Sequence, residues 1–415
     1  MRRLAFASVA GTALEYYDFA VYNTLAALVF GKLFFPSFDP TAGLLLSFAT
    51  YWLGYLSRPF GGILFGRLGD LRGRRYVLVV TLLIMGVTTT AVGLLPTYES
   101  AGVLAPILLV GLRFAQGMAL GGEWAGAVLL SVEHGRDDQR GRNAAWAQMG
   151  PSIGVVIASG VVALTLKLMT DDEFADWGWR LPLLGSVLLV GFGLWVRLGV
   201  SETPQFEALA RTQERSRAPL AEVLREHRRA LLVAGGSRFG PDVMYSMISA
   251  FTLSYVTTQL GVARGLATGA LAAAAAVNAA CIFFAGRLSD RFGRRAVYGA
   301  GVIAAAAWLF VYFPLLQMKT TAALFTAFIG GLAIHAFMYG PQGAFIAEQF
   351  PTRIRYAGAS VAYTFAGVFA GGIAPLAMAG LYRAYGTTWV VVAYGCVALA
   401  ITAIALFGAR PAIRH

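Results

Sequence analysis

Residues 66 to 75 read GRLGDLRGRR, and residues 286 to 295 read GRLSDRFGRR. Seven of the ten positions agree, and the copies begin 220 residues apart, at matching places in the two halves of the chain. Each is a charged island in a very apolar sequence. Of the 415 residues, 58% are hydrophobic and 13% charged, about half the charged share of a soluble domain. The apolar residues come in long blocks, and about 20 such residues span a bilayer core as a helix. The composition therefore predicts an all-α polytopic membrane protein, with a soluble helical bundle a distant second.

Twelve helices are expected, near 5–30, 41–66, 76–95, 101–131, 143–168, 181–199, 230–259, 266–288, 295–317, 321–347, 357–383 and 387–408. A polar connection, 201–229, rich in Arg and Glu, divides an N-terminal six-helix bundle (1–200) from a C-terminal one (230–415). The basic N-terminal start resembles a signal peptide, but the apolar pattern resumes after EYYDF and runs to about Val29, which favours one uncleaved first helix.

The net charge of +12 comes from short loops, not from a separate basic domain, so it signals membrane orientation and not nucleic acid. With the N-terminus in the cytoplasm, cytoplasmic segments hold 24 of the 33 Lys and Arg, outer segments six, and helices three: Arg58, Arg113 and Arg238. Both termini are thus expected inside, in a cell (inner) membrane. Lys32, Lys167 and Lys319 all fall outside, a detail this rule does not explain. Cys281 and Cys396 lie within apolar blocks and read as packing residues, with no disulfide or metal role.

Each decapeptide follows the second helix of its half. Two six-helix halves of one topology are parallel repeats, which rock against each other around a central site. Any cytoplasmic loop is basic, which accounts for the arginines but not for the matched Gly, Leu and Asp. The repeated loop is similar to the major facilitator superfamily motif G-x-L-[AG]-D-[RK]-x-G-R-[RK]; Leu71 departs from it in the first copy and Ser289 in the second. GTALEYYDFAVYNTLAALVFGKLFFP, RPFGG, GLRFAQGMALGGEWAGAVLLSVEHG, WRLPLL and SETPQF, in this order, resemble the metabolite:proton symporter family of organic-acid and betaine carriers. The resemblance implies that Gly66, Asp70, Gly73, Arg74, Arg75 and Gly286, Asp290, Arg291, Gly293, Arg294 form conformational latches. Glu133 and Glu348, at the ends of helices four and ten, are their expected partners. The short stretch after the last helix argues against the C-terminal coiled-coil regulation of some betaine carriers.

Charged groups inside a bilayer are costly and mark pathways. On the first helix Glu15, Asp18 and Tyr22 are spaced i, i+3, i+7 and share a face. Asp18, the deeper acid, is the leading proton-coupling candidate; Glu15 fits a proton site and a helix cross-link equally. On the fourth helix Arg113, Gln116 and Glu123 share one face. Related carriers pair a first-helix acid with a fourth-helix arginine, which implies Asp18 with Arg113: protonating the acid then frees Arg113 for a substrate carboxylate. A permanent structural ion pair is the competing account. Glu123 is a second proton candidate or a packing partner of Arg58, and Arg58 either lines the site or snorkels to the headgroups.

In helix seven, Arg238 and Asp242 are spaced i, i+4, with Arg238 a second carboxylate clamp. Tyr17, Trp124, Asn278 and Tyr339 complete the candidate substrate site, with Tyr245 another aromatic at the cavity; His335 reads as a packed histidine. No HExxH, hydrolytic cluster or Walker loop occurs, so an enzyme or an ATPase is not expected. The expectation is a cofactor-free monomer that carries a small carboxylate or zwitterion with protons; export by antiport is the alternative, and a non-transporting sensor is disfavoured by the retained charges.

Overall fold

The computed structural model describes residues 2–37, 40–199, 201–211 and 218–409. It is almost wholly helical, with no strand among the described residues. Only a helix satisfies every backbone N–H and C=O within a single membrane span, so a chain this apolar has little alternative. In the N-terminal half the spans are α1 (Arg2–Leu25, extended by a π turn and Gly31–Phe34), α2 (Pro40–Arg72), α3 (Arg74–Leu94), α4 (Leu104–Glu133), α5 (Arg140–Leu168) and α6 (Phe174–Leu198). The C-terminal half has α7 (Arg228–Ser237, Phe239–Ser246 and Leu253–Thr258, joined through a π turn), α8 (Arg264–Phe292), α9 (Arg294–Gln317), α10 (Thr321–Ala347), α11 (Thr352–Tyr385) and α12 (Trp389–Gly408). Among the described residues nine of these are long and apolar enough to cross a membrane by composition alone. The other three are α1, α2 and α7.

Packing repeats between the halves. α1 lies along α5 and α2 along α4; their counterparts α8 and α10 pair in the second half. Two seams join the halves, α2 against α11 and α5 against α8. The first glycine of each decapeptide permits one seam. A Cβ on Gly66 would stand 3.0 Å from the Ala357 Cα, and one on Gly286 would stand 2.5 Å from the Ala145 Cβ. The second glycine makes the corner: Gly73 and Gly293 have φ of 113° and 90°, a region that other residues rarely adopt.

The polar connection is partly helical, as expected, with surface helices Pro204–Arg211 and Pro219–Glu226. Its centre, 212–217, lies outside the described residues, as does 410–415 beyond α12.

Candidate functional site

The two decapeptide loops, the expected latches, are built alike. The Asp70 carboxylate accepts hydrogen bonds from the amides of Tyr356 (3.2 Å) and Ala357 (2.8 Å), in the first turn of the regular part of α11. Asp290 accepts from the amides of Gly141 (2.8 Å) and Arg142 (2.9 Å), in the first turn of α5. Helix starts leave amide donors unpaired and carry partial positive charge, so a carboxylate suits both places. Each half therefore caps a helix of the other. Arg74 and Arg294 hold these aspartates at 3.4 and 2.7 Å, and they bind Glu133 (3.2 Å) and Glu348 (3.4 Å), the partners expected from sequence.

The first latch is the larger. Arg74 also donates to the Thr352 carbonyl, and Arg355 of α11 reaches Glu133 at 3.4 Å and Gln205 at 2.8 Å. The SETPQF segment buttresses it: Glu202 accepts from the amides of Arg74 and Arg75, and Thr203 donates to Glu133. Arg75 turns outward to the Leu198 carbonyl, and Arg291 is exposed. Tyr356 crosses into the first half, where its hydroxyl donates to the Gly122 carbonyl at 2.7 Å.

Glu15, Asp18 and Glu123, the candidate acids of the first half, are all buried. Glu15 and Glu123 lie within hydrogen-bonding reach of each other and share Arg197, at 2.9 and 3.2 Å. This corrects the sequence-based count, which put Arg197 among the cytoplasmic loop residues. It sits 4% exposed inside the bundle, and a Cβ on Gly11 would stand only 2.7 Å from its Nη2. Thr12 donates to Glu123 as well.

Asp18 and Arg113, expected as a direct pair, are not among the ion pairs of the described residues. They are joined through a chain. Arg113 donates to Gln116 (3.2 Å), the Gln116 amide donates to the Thr89 hydroxyl (2.9 Å), and Thr89 bonds Asp18. The guanidinium of Arg113 also lies over the rings of Phe19 (4.1 Å) and Tyr22 (4.0 Å), so Tyr22 supports it from beneath while bonding Thr50. Tyr17 turns from the seam to the Pro182 carbonyl.

Across the seam, Arg238 pairs with Asp242 at 2.6 Å and lies on the ring of Tyr363. Tyr363 stacks on Trp124 of the other half, with centroids 3.6 Å apart. Trp124 donates to Gln148, and Gln148 to the Tyr339 carbonyl. Asn278 bonds Ser152 and the Leu332 carbonyl and meets His335, which stacks on Tyr339 and lies against Tyr245. Arg58 is buried against Tyr55 and Phe19, which places it inside the bundle and removes the snorkelling alternative. Cys281 and Cys396 are free thiols. Among the described residues the one cluster with the spacing of metal ligands is Glu222, Glu226 and His227 on a surface helix, where Arg353 already holds Glu222.

Comparison with known proteins agrees with this arrangement. A family described as "Sugar (and other) transporter" matches residues 4–231, and one described as "Major Facilitator Superfamily" matches residues 242–415. The chain belongs to the major facilitator superfamily. Within that superfamily it is 37% identical to the shikimate transporter of Escherichia coli, over 97% of this chain and 94% of that one. It is also 37% identical to the inner membrane metabolite transport protein YhjE of the same organism, over 92% and 88%. The proline/betaine transporter of Escherichia coli is 32% identical over 89% of this chain and 76% of its own length. Among solved structures, the proton:xylose symporter XylE superposes with a TM-score of 0.76 over 98% of this chain and 94% of that one; at 14% identity this speaks for the fold alone. These facilitator relatives are transporters and not enzymes, and this chain is read as one of the transporters.

Proposed function

We propose that the protein is a proton-coupled symporter that takes up a small organic acid by alternating access. The observation that carries this reading is a shortage of donors around the buried acids of the first half. Among the described residues, Glu15 Oε2, one oxygen of Asp18 and one of Glu123 are buried with no hydrogen-bond partner, while Glu15 Oε1 meets the Arg197 guanidinium at 2.9 Å. Burying an unsatisfied polar oxygen is costly. A proton on a carboxyl turns an acceptor-only group into a donor, so one proton bridging Glu15 and Glu123 satisfies two of these oxygens. It also balances a site that otherwise sets two carboxylates against one guanidinium. A second proton on Asp18 acts through Thr89 and Gln116 on Arg113, which ties proton loading to the posture of a buried cation.

The latches supply the alternation. Both are engaged here, which corresponds to a state closed at the end carrying the decapeptides. The excess of basic residues in the loops of that end supports placing it, with both termini, on the cytoplasmic side. Relatives named for shikimate, proline and betaine support a small carboxylate or zwitterion as cargo. The test is uptake into proteoliposomes under an inward proton gradient, with labelled shikimate and labelled glycine betaine, for the wild type, Asp18→Asn and Glu123→Gln. Accumulation by the wild type, with mere equilibration by either variant, is the expected result. Undiminished accumulation by both variants removes these acids from coupling, and gradient-driven efflux replaces symport with export.

A further inference from the structure

Arg58 is a charged group in the seam that the proposed transport scheme does not use. It is 4% exposed, on α2 just before Pro59, at the seam with α11. Its guanidinium lies over the ring of Tyr55 at 3.8 Å and near that of Phe19 at 4.8 Å. These contacts use the face of the guanidinium plane and leave its edge. Among the described residues, the buried Nε and Nη2 of Arg58 have no hydrogen-bond partner. Those two N–H groups point the same way and form the side-on fork that takes both oxygens of one carboxylate. A buried arginine that keeps this fork empty is costly for a structure whose resting fold is its only task.

The second half comes close at the same level. A Cβ on Gly371 of α11 would stand 3.4 Å from the Tyr55 ring and 3.7 Å from Asp242 Oδ2. The Arg58–Tyr55 edge and the Arg238–Asp242 pair therefore face each other across one glycine. Tyr16 lies within electrostatic reach of Arg58, Arg238, Tyr55 and Tyr363, so it borders the same space. Arg238 and Asp242 neutralise each other at 2.6 Å. Asp18 and Arg113 are joined on the far side of Phe19. Arg58 makes no ion pair among the described residues.

We propose that Arg58 is the carboxylate anchor of the transported substrate, and that Asp242, facing it across Gly371, limits the substrate to a single carboxylate. The ligand class is then a monocarboxylate anion with an apolar or hydroxylated body set against Tyr55, Tyr16 and Tyr363. A dicarboxylate would place its second charge towards Asp242. A zwitterion would leave the positive charge of Arg58 balanced but bring a cation to an aspartate already paired with Arg238. This rests on the transport reading for its setting, but it is tested by binding and not by flux.

The experiment is a thermal-shift titration of the purified full-length protein, since a ligand of the folded state raises the midpoint according to its affinity. The probes are shikimate and benzoate (one carboxylate), 2-oxoglutarate (two) and glycine betaine (a zwitterion). In the wild type the monocarboxylates bind tightest. Arg58→Gln weakens them roughly 10- to 100-fold, the loss of charge-assisted hydrogen bonds to one anion, and Arg58→Lys restores part of that because it keeps the charge but not the fork. Asp242→Asn raises the charge of the site and moves its preference to 2-oxoglutarate, a gain that a misfolded variant cannot produce. The proposal is overturned if Arg58→Gln binds monocarboxylates as the wild type does, if glycine betaine binds tightest, or if no probe raises the wild-type midpoint. Binding as expected without flux in proteoliposomes leaves the anchor standing and sinks the transport reading. Flux with an Arg58→Gln affinity equal to the wild type does the reverse.

Discussion

Replacing Asp70 by Asn, and separately Asp290 by Asn, tests whether the two latches carry equal weight. Only bonds that cross between the halves bias the opening. The Asp70–Arg74 and Asp290–Arg294 pairs each lie within one half and persist when the halves part. What opening breaks is the pair of amide bonds that each aspartate accepts from the opposite half. Asn keeps one acceptor oxygen, so each substitution forfeits about one charge-assisted bond and turns an amide donor towards a helix start that is itself a donor. The side chain of Asp70 is 1% exposed and that of Asp290 is 11%. With water excluded, Asp70→Asn costs the closed state about 2–3 kcal/mol, a shift of ~30- to 150-fold in the closed-to-open ratio. With water at hand to replace the lost bond, Asp290→Asn costs about 1 kcal/mol, or ~5-fold. Spin labels at the exposed Asp138 and Arg291, one in each half at the latch end, read the opening as a longer distance; Cys281 and Cys396 are first replaced by serine. Asp70→Asn is expected to populate the longer distance far more than Asp290→Asn. Equal opening by the two variants, or more by Asp290→Asn, refutes the argument from burial.

Two further outcomes follow from the packing. Arg197→Gln leaves Glu15 and Glu123 without their shared cation and lowers the thermal midpoint, by the equivalent of about 3–5 kcal/mol for a broken buried pair; adding Glu123→Gln to it recovers part of the loss, and failure to recover any means that the three groups do not act as one unit. Gly61→Ala puts a Cβ 1.8 Å from the Met118 carbonyl oxygen, forces α2 from α4 and lowers the midpoint by several degrees, whereas Gly111→Ala, with nothing within 4 Å, leaves it unchanged; similar midpoints for the two would contradict the tight α2–α4 approach.

The latches were the most legible part of the sequence. A decapeptide with two glycines and one aspartate at fixed spacing, repeated after 220 residues, pointed to matching contacts in both halves, and the structure places Asp70 and Asp290 at helix starts of the opposite half. Helical spacing also brought Glu15, Asp18 and Tyr22 to a buried face. It gave no information on rotation about neighbouring helices, and that is where the reading of the site departed from the structure. Asp18 meets Thr89 and is joined to Arg113 through Gln116. Tyr17 turns to Pro182. Arg197 was hidden by its place near a helix end, where a basic residue is ordinary; its signal was the two acids, Glu15 and Glu123, that needed a third partner. The π turns that break α1, α7 and α11 carry no Pro, and they answer to tertiary packing more than to local sequence.

Tyr356 links matters that the sequence keeps apart. Its amide is held by Asp70 and its hydroxyl by the Gly122 carbonyl, one residue from Glu123. A Cβ on Gly126 would stand 2.4 Å from that hydroxyl, so the ring fills a notch between two turns of α4. The residue belongs to the second half and must leave with it. Whenever the halves separate at the latch end, this stopper is drawn from α4, and the wall beside the shared acids is thinned by the same movement. Under the proposed symport, hydration of the acids and release of the cargo are then timed by a single mechanical event.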